Sequence, residues 1–178
     1  TPAWLDKYGK ETAFFCTNDA QTEPLLKQIA KYGGIFVEPD LPSPLMGYPG
    51  ALGLDLSAEA GDFPAIMKKV EQAVIDAGGK GRMGTWSYSF GWSTVCALAE
   101  YGKRITEGEA KLYRLKDLWA CYDKYTPGAQ WMGSEYLDMA TQVKMRNFLL
   151  VYQDTYIFGK GYMDITKVQV PEKFMTIK

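Results

Sequence analysis

Thr12-Ala13-Phe14-Phe15-Cys16-Thr17-Asn18-Asp19-Ala20 governs how the rest of the chain is read. An apolar strand over Thr12 to Thr17 stops at Asn18-Asp19-Ala20 and turns directly into a helix that ends at Gly33-Gly34. Polar groups at the C-terminal end of a strand in an open α/β sheet sit in the crevice where such folds bind ligands. Thr22-Glu23-Pro24 carries the helix start, with Thr22 as N-cap and a proline in the first turn. Leu25, Leu26 and Ile29 supply its apolar stripe.

Downstream, Gly34-Ile35-Phe36-Val37-Glu38 reads as a second strand after the double-glycine stop. It enters the loop Pro39 to Gly50, where four prolines within eleven residues make the backbone stiff. A third strand is expected over Ala51 to Leu56. Asp62-Phe63-Pro64 opens a helix whose core face carries Phe63, Ile66, Met67, Val70, Val74 and Ile75, and Gly78-Gly79 closes it. Gly81 to Tyr88 reads as a strand, followed from about Trp92 to Gly108 by a helix lined with Val95, Leu98, Ala99 and Ile105. The last third is less regular: a helix from Leu112 to Tyr125, the turn Thr126-Pro127-Gly128, a helix around Tyr136 to Arg146, a strand from Phe148, and an extended tail over Val168 to Lys178. Strands alternating with helices predict an α/β fold, doubly wound, with a mainly parallel sheet and flanking helices.

Composition narrows what such a fold does. The 178 residues are 47% hydrophobic and 14% aromatic, enough for one good core or two small ones. Twenty Lys+Arg against twenty-one Asp+Glu, with no basic run, argue against a nucleic-acid partner. Apolar stretches such as Asn147 to Tyr152 are far shorter than the roughly 20 residues of a membrane helix. The start at Thr1 suggests a processed product or a fragment.

The chain contains no histidine, which removes the commonest general base, the commonest zinc ligand and every Ser-His or Cys-His pair. Cys16, Cys96 and Cys121 form no C-x-x-C spacing and read as buried apolar cysteines. Ser87, Ser89 and Thr94 have no base to activate them. No catalytic residue, metal or cofactor is therefore expected.

Two stretches carry a family resemblance. The strand ending in Asn18-Asp19-Ala20 resembles the C-terminal lobe of type I periplasmic binding proteins and the related ligand-binding domains of repressors. Gly84-Thr85-Trp86-Ser87-Tyr88-Ser89-Phe90-Gly91-Trp92, leading to Gly102-Lys103-Arg104-Ile105-Thr106-Glu107-Gly108-Glu109, is similar to that family's third hinge crossing. More closely, Phe15 to Pro24 and Val151 to Gly161 resemble the C-terminal half of an uncharacterised family of exported bacterial lipoproteins, distantly similar to basic-membrane-protein-like, nucleoside-binding lipoproteins.

The resemblance implies a C-terminal-lobe α/β unit over residues 1–85. Residues 86–178 would hold the hinge crossing, helices and a C-terminal strand and tail that complete the lobes, with the N-terminal lobe largely absent from the chain. It further implies a periplasmic or cell-surface location, with any lipid anchor on a missing N-terminus, and an ABC-type permease as partner.

Candidate ligand residues follow from both lines of reading. Asn18 and Asp19 either hydrogen-bond a ligand from the sheet edge or cap the following helix. Trp86, Tyr88, Phe90 and Trp92 alternate along a strand and its exit, so they face one side and either stack on a ring or pack as core. Gln153 and Asp154 interrupt an apolar strand and must find partners, either a ligand or the tail. The Lys68-Lys69-Val70-Glu71 cluster, Glu107 and Glu109 read as solvated faces. Three functions compete: a non-catalytic solute-binding protein for a small polar or ring-containing ligand, a ligand-sensing domain of a regulator or chemoreceptor, and an enzyme using carboxylates such as Asp19, Asp40, Asp55 or Asp154.

Overall fold

The computed structural model describes residues 1–169. It opens on a short helix that the sequence reading had not anticipated, α1 (Pro2–Tyr8), followed by β1 (Ala13–Phe14). A 3-10 turn over Asp19–Gln21, whose N-cap Asn18 accepts from the Ala20 N–H at 3.0 Å, leads into α2 (Thr22–Tyr32); Gln21 rather than Thr22 stands at the N-cap of α2, and Thr22 is its first, buried residue. Gly33 then halts α2 at φ 94°, a conformation open to glycine. Next come β2 (Ile35–Phe36), α3 (Tyr48–Leu52) and α4 (Phe63–Asp76), whose N-cap Asp62 accepts from the Ala65 N–H at 3.0 Å. The remaining elements are β3 (Gly84–Thr85), α5 (Phe90–Thr106), α6 (Leu115–Tyr125), β4 (Trp131–Asp138), β5 (Val143–Gln153), β6 (Tyr156–Ile157) and β7 (Gly161–Tyr162).

The class is mixed α/β, with small sheets rather than one mainly parallel sheet. β1 and β2 pair in parallel, Phe14 opposite Phe36, and a parallel bridge from Phe36 to Met83 carries the arrangement to the start of β3. β3, β6 and β7 then pair antiparallel, and β4 with β5 forms a separate antiparallel hairpin. The two-residue lengths of β1, β2 and β3 correct the longer strands expected over Thr12 to Thr17, Gly34 to Glu38 and Gly81 to Tyr88.

Two further expectations are overturned. Ala51 to Leu56 is not a strand: its first two residues finish α3, and Gly53 ends that helix at φ 66°. Tyr48 of α3 is fully buried and donates its hydroxyl to the Gly84 carbonyl at 2.6 Å, so tertiary anchoring decides a helix too short to show a period. Tyr136 to Arg146 is not a helix either, because it forms the tip of the β4–β5 hairpin. Asp138 turns the chain there, accepting from Ala140 N–H at 3.0 Å and Thr141 Oγ1 at 2.6 Å, while Gln142 sits at φ 59°. Long-range pairing outweighs the local preference of its Leu, Met, Ala, Lys and Arg. Beyond Gln169, the tail expected over Val168 to Lys178 lies outside the described residues.

Two cores result. The first packs Leu26 and Ile29 of α2, Phe36 of β2, Tyr48, and Ile66, Met67, Val70 and Val74 of α4 around Met83 and Phe158. The second gathers Ala97 of α5 with Leu118, Cys121 and Tyr122 of α6, bordered by Trp131, Leu149 and Val151 of the hairpin. Cys16 and Cys121 are buried and Cys96 is partly exposed, and all three are free thiols, which corrects the reading of three buried cysteines.

Candidate functional site

The carboxyl ends of β1, β2 and β3 turn into three polar segments: Thr17-Asn18-Asp19, Glu38-Pro39-Asp40 and Trp86-Ser87-Tyr88. Behind the last two lie Gln153, Asp154 and Thr155, where β5 hands over to β6. Parallel pairing of β1 with β2, and of β2 with the start of β3, places these ends side by side.

Asn18 spends its side chain on its own turn, and Asp19 Oδ1 accepts from the Leu41 N–H at 3.4 Å, tying the end of β1 to the proline-rich loop. Glu38 is the residue that the sequence reading missed. Its Oε2 accepts from Thr155 Oγ1 at 2.8 Å. Partial burial pushes its carboxyl above the ordinary range, the Thr155 and Trp86 side chains pull it back, and the nearby Asp154 carboxylate pushes it up again. An acidic residue ending a strand just before a proline was the available signal.

Gln153 and Asp154 are almost wholly enclosed, at 1% and 0% exposure. Gln153 Oε1 accepts from Ser87 N–H at 2.8 Å, Ser87 Oγ at 2.8 Å and Tyr88 N–H at 3.3 Å, so it clamps the segment leaving β3. Its Nε2 has no hydrogen-bond partner among the described residues. Asp154 accepts from Asp164 N–H at 2.7 Å and Ile165 N–H at 3.3 Å, which ties down the segment after β7.

The four aromatic candidates do not share a face. β3 ends at Thr85 and α5 begins at Phe90, so the alternation expected of a strand is lost. Trp86 and Tyr88 are buried, whereas Phe90 and Trp92 are each about 40% exposed on α5. They form two groups: Trp86 packs edge-on against Phe90 at 6.0 Å and Trp131 at 5.8 Å, while Tyr88 stacks on Trp92 at 6.3 Å and contacts Phe63 at 5.5 Å. The structure thus brings Trp86, Tyr88, Gln153 and Asp154 together around Glu38 and Ser87. Asn18 and Asp19 stand at the neighbouring strand end.

A cavity of about 320 Å³ opens beside Ser87 and Tyr88, bounded by Met67 and Glu71 of α4, Tyr156 of β6 and Tyr162 of β7. That volume lies at the low end of small-molecule sites. Glu71 is not the solvated face that its sequence cluster suggested. It accepts from Tyr156 Oη at 3.1 Å and from the Gly159 N–H at 2.7 Å. Glu107 and Glu109 are exposed as expected. Among the described residues, no group of three or more His, Cys, Asp or Glu is placed to hold a metal ion, and no helix is long and apolar enough to cross a membrane.

Comparison with known proteins places this geometry among uncharacterised relatives. The family model described as "Protein of unknown function (DUF3798)" matches residues 1–84, and a second family model matches residues 95–177. One uncharacterised protein of Treponema pallidum (strain Nichols) is 39% identical over 80 residues, which is 45% of this chain and 35% of that protein. A crystal structure of a candidate transcriptional regulator from Clostridium difficile 630, at 1.86 Å resolution, superposes with a TM-score of 0.71 at 19% identity, covering 88% of this chain and 43% of its own. At that identity the likeness is one of fold. The chain spans about a third of the length of that Treponema protein and less than half of the solved structure. A second uncharacterised Treponema pallidum protein is 32% identical over 79 residues, 44% of this chain and 89% of that relative. With nine-tenths of that relative accounted for, the chain belongs to the same family as this Treponema protein.

Proposed function

We propose that the chain is the ligand-holding part of a non-catalytic, extracytoplasmic solute-binding protein that presents a small polar or ring-containing molecule to an ABC-type transporter. The observation that carries this reading is the meeting of strand-end polar groups, Glu38 and Ser87-Tyr88, with the enclosed Gln153-Asp154-Thr155 segment beside a cavity of ligand size. Strand ends of this kind are where open α/β sheets hold ligands. The arrangement offers hydrogen-bond acceptors and aromatic surface, and the one hydroxyl–carboxylate contact at the strand ends, Thr155 Oγ1 to Glu38, is enclosed rather than presented to the cavity. A doubly wound lobe of the periplasmic-binding-protein type agrees with the parallel run from β1 through β2 to Met83.

A second reading is favoured by the fold shared with the candidate regulator: the same crevice would then sense an effector rather than deliver a solute. The two differ in what precedes the crevice in the gene, a lipoprotein signal for the first and a helix-turn-helix for the second. The test of binding itself is thermal. Fractionated metabolite pools are screened for those that raise the melting temperature, since a ligand at 100 times its Kd stabilises by about 2.7 kcal/mol. An active fraction should lose its effect on Glu38→Ala and Tyr88→Ala. A screen in which no fraction shifts the wild-type melt refutes both readings.

A further inference from the structure

The three tyrosines around the cavity each have a traceable hydroxyl proton. Tyr88 Oη donates to the Pro127 carbonyl at 3.0 Å, and Tyr156 Oη donates to the Glu71 carboxylate at 3.1 Å. Ser87 Oγ and Tyr162 Oη are 2.8 Å apart. The single proton of Ser87 goes to Gln153 Oε1, an acceptor fixed in place by the Ser87 and Tyr88 N–H groups, so in that contact Tyr162 is the donor. All three phenols have therefore spent their one proton on the protein. What they retain is oxygen lone pairs and, on the half-buried Tyr156 and Tyr162, ring surface against the cavity.

We propose that the cavity takes an organic amine in its ammonium form, held by the phenol oxygens of Tyr88, Tyr156 and Tyr162, by the ring surfaces of Tyr156 and Tyr162 and by the Glu71 carboxylate. This rests on the reading that the strand-end region binds a small molecule, and adds the ligand's chemical class. An ammonium brings several donors and no acceptor, the complement of a wall whose hydroxyls only accept. Aromatic faces attract a cation, and the attraction grows with desolvation. Two carboxylates set the local field: Glu71 on the wall and Asp62, whose charge acts on Tyr88. Burial holds all three phenols above their ordinary pKa, so they remain neutral. Lys68 is the lining cation, and it is exposed at the solvent side of α4, where its flexible stem keeps the ammonium in water. A phosphate or carboxylate ligand would meet spent hydroxyls and like charge.

The test is a tyrosine-labelled NMR titration of the intact chain with putrescine, ribose and inorganic phosphate in separate samples. Putrescine is expected to shift the ring signals of Tyr88, Tyr156 and Tyr162, while ribose and phosphate leave them in place. Tyr162→Phe keeps the ring and the Ser87–Gln153 contact but removes one acceptor, and is expected to weaken putrescine about tenfold, as loss of one hydrogen bond to a charged group does. Glu71→Gln should weaken it at least as much, and if that variant misfolds, Tyr162→Phe carries the test. Ribose or phosphate moving these signals while putrescine does not overturns the amine assignment and leaves a small-molecule site standing. Signals unmoved by any probe at about 10 mM, well above a millimolar Kd, overturn the amine assignment. A metabolite fraction that still raises the melting temperature would then preserve the function proposed above.

Discussion

Gln153→Met is the substitution that most directly tests how the segment leaving β3 is held. Methionine nearly matches glutamine in volume, so packing changes little and the loss of Oε1 dominates. Three donors lose their acceptor: Ser87 N–H and Ser87 Oγ, each at 2.8 Å, and Tyr88 N–H at 3.3 Å. Ser87 Oγ keeps Tyr162 Oη within 2.8 Å and is partly compensated, and the long Tyr88 bond is weak. The Ser87 amide loses its side-chain acceptor in an enclosed site. An unsatisfied buried donor costs about 1–3 kcal/mol; the three together cost about 4 kcal/mol and removal of the unpartnered Nε2 returns about 1, leaving a net loss of about 3 kcal/mol. For a domain of this size that corresponds to a fall in melting temperature of about 6–12 °C. Urea unfolding followed by tryptophan fluorescence reads the free energy and a thermal melt with the same signal reads the temperature, since Trp86 and Trp131 report on this region. Ser87→Ala, which leaves the Ser87 amide bonded to Gln153, should cost only about 1 kcal/mol. If Gln153→Met costs no more than Ser87→Ala, Gln153 is not the clamp and the account of this segment is wrong.

Three more outcomes are expected. Glu38 has a raised carboxyl, so the stability of its neutral form is fully present below the unfolded value and is lost as pH rises through the folded one; Glu38→Gln should therefore melt higher than wild type at pH 8 and equally at pH 4, and a constant difference across that range refutes it. Glu100 behaves oppositely: the Lys124 ammonium at 2.9 Å and the Arg104 guanidinium at 2.8 Å hold its carboxyl down to about 2, so it stabilises the α5–α6 pair above the unfolded carboxyl range and loses that contribution as pH falls towards 2. Acid titrations by circular dichroism should show Glu100→Gln destabilised at pH 7 and converging on wild type near pH 2. Gly84→Ala should destabilise by about 1–3 kcal/mol in the same urea assay, because its Cβ would stand 2.6 Å from the Val37 carbonyl oxygen and 2.9 Å from that of Tyr156.

Helices proved readable where their signals were local. The Asp62-Phe63-Pro64 start and Gly78 stop of α4, the Gly33 stop of α2, and the apolar stripes of both helices depend on residues three or four apart, which the sequence places in contact by itself. The hairpin from Trp131 to Gln153 was not readable in the same way. Its pairing partners are up to 22 residues apart, Trp131 opposite Gln153, and the intervening residues favour a helix when considered alone. The aromatic candidates failed for a related reason: the ladder stops at Thr85, and once a strand ends, alternation no longer says which way a side chain faces.

For the candidate site, the sequence alone determined that polar groups follow the strand ends, that Gln153 and Asp154 interrupt an apolar run, and that histidine chemistry is absent. Only the tertiary structure decided that Glu38 meets Thr155 across 117 residues, that Gln153 clamps Ser87 across 66, and that every tyrosine hydroxyl around the cavity is already a donor. The division has a physical cause. Burying a polar group demands a partner, and the sequence states that demand residue by residue. Which partner answers depends on how β3, β5 and β6 come together, and neighbouring residues do not encode that.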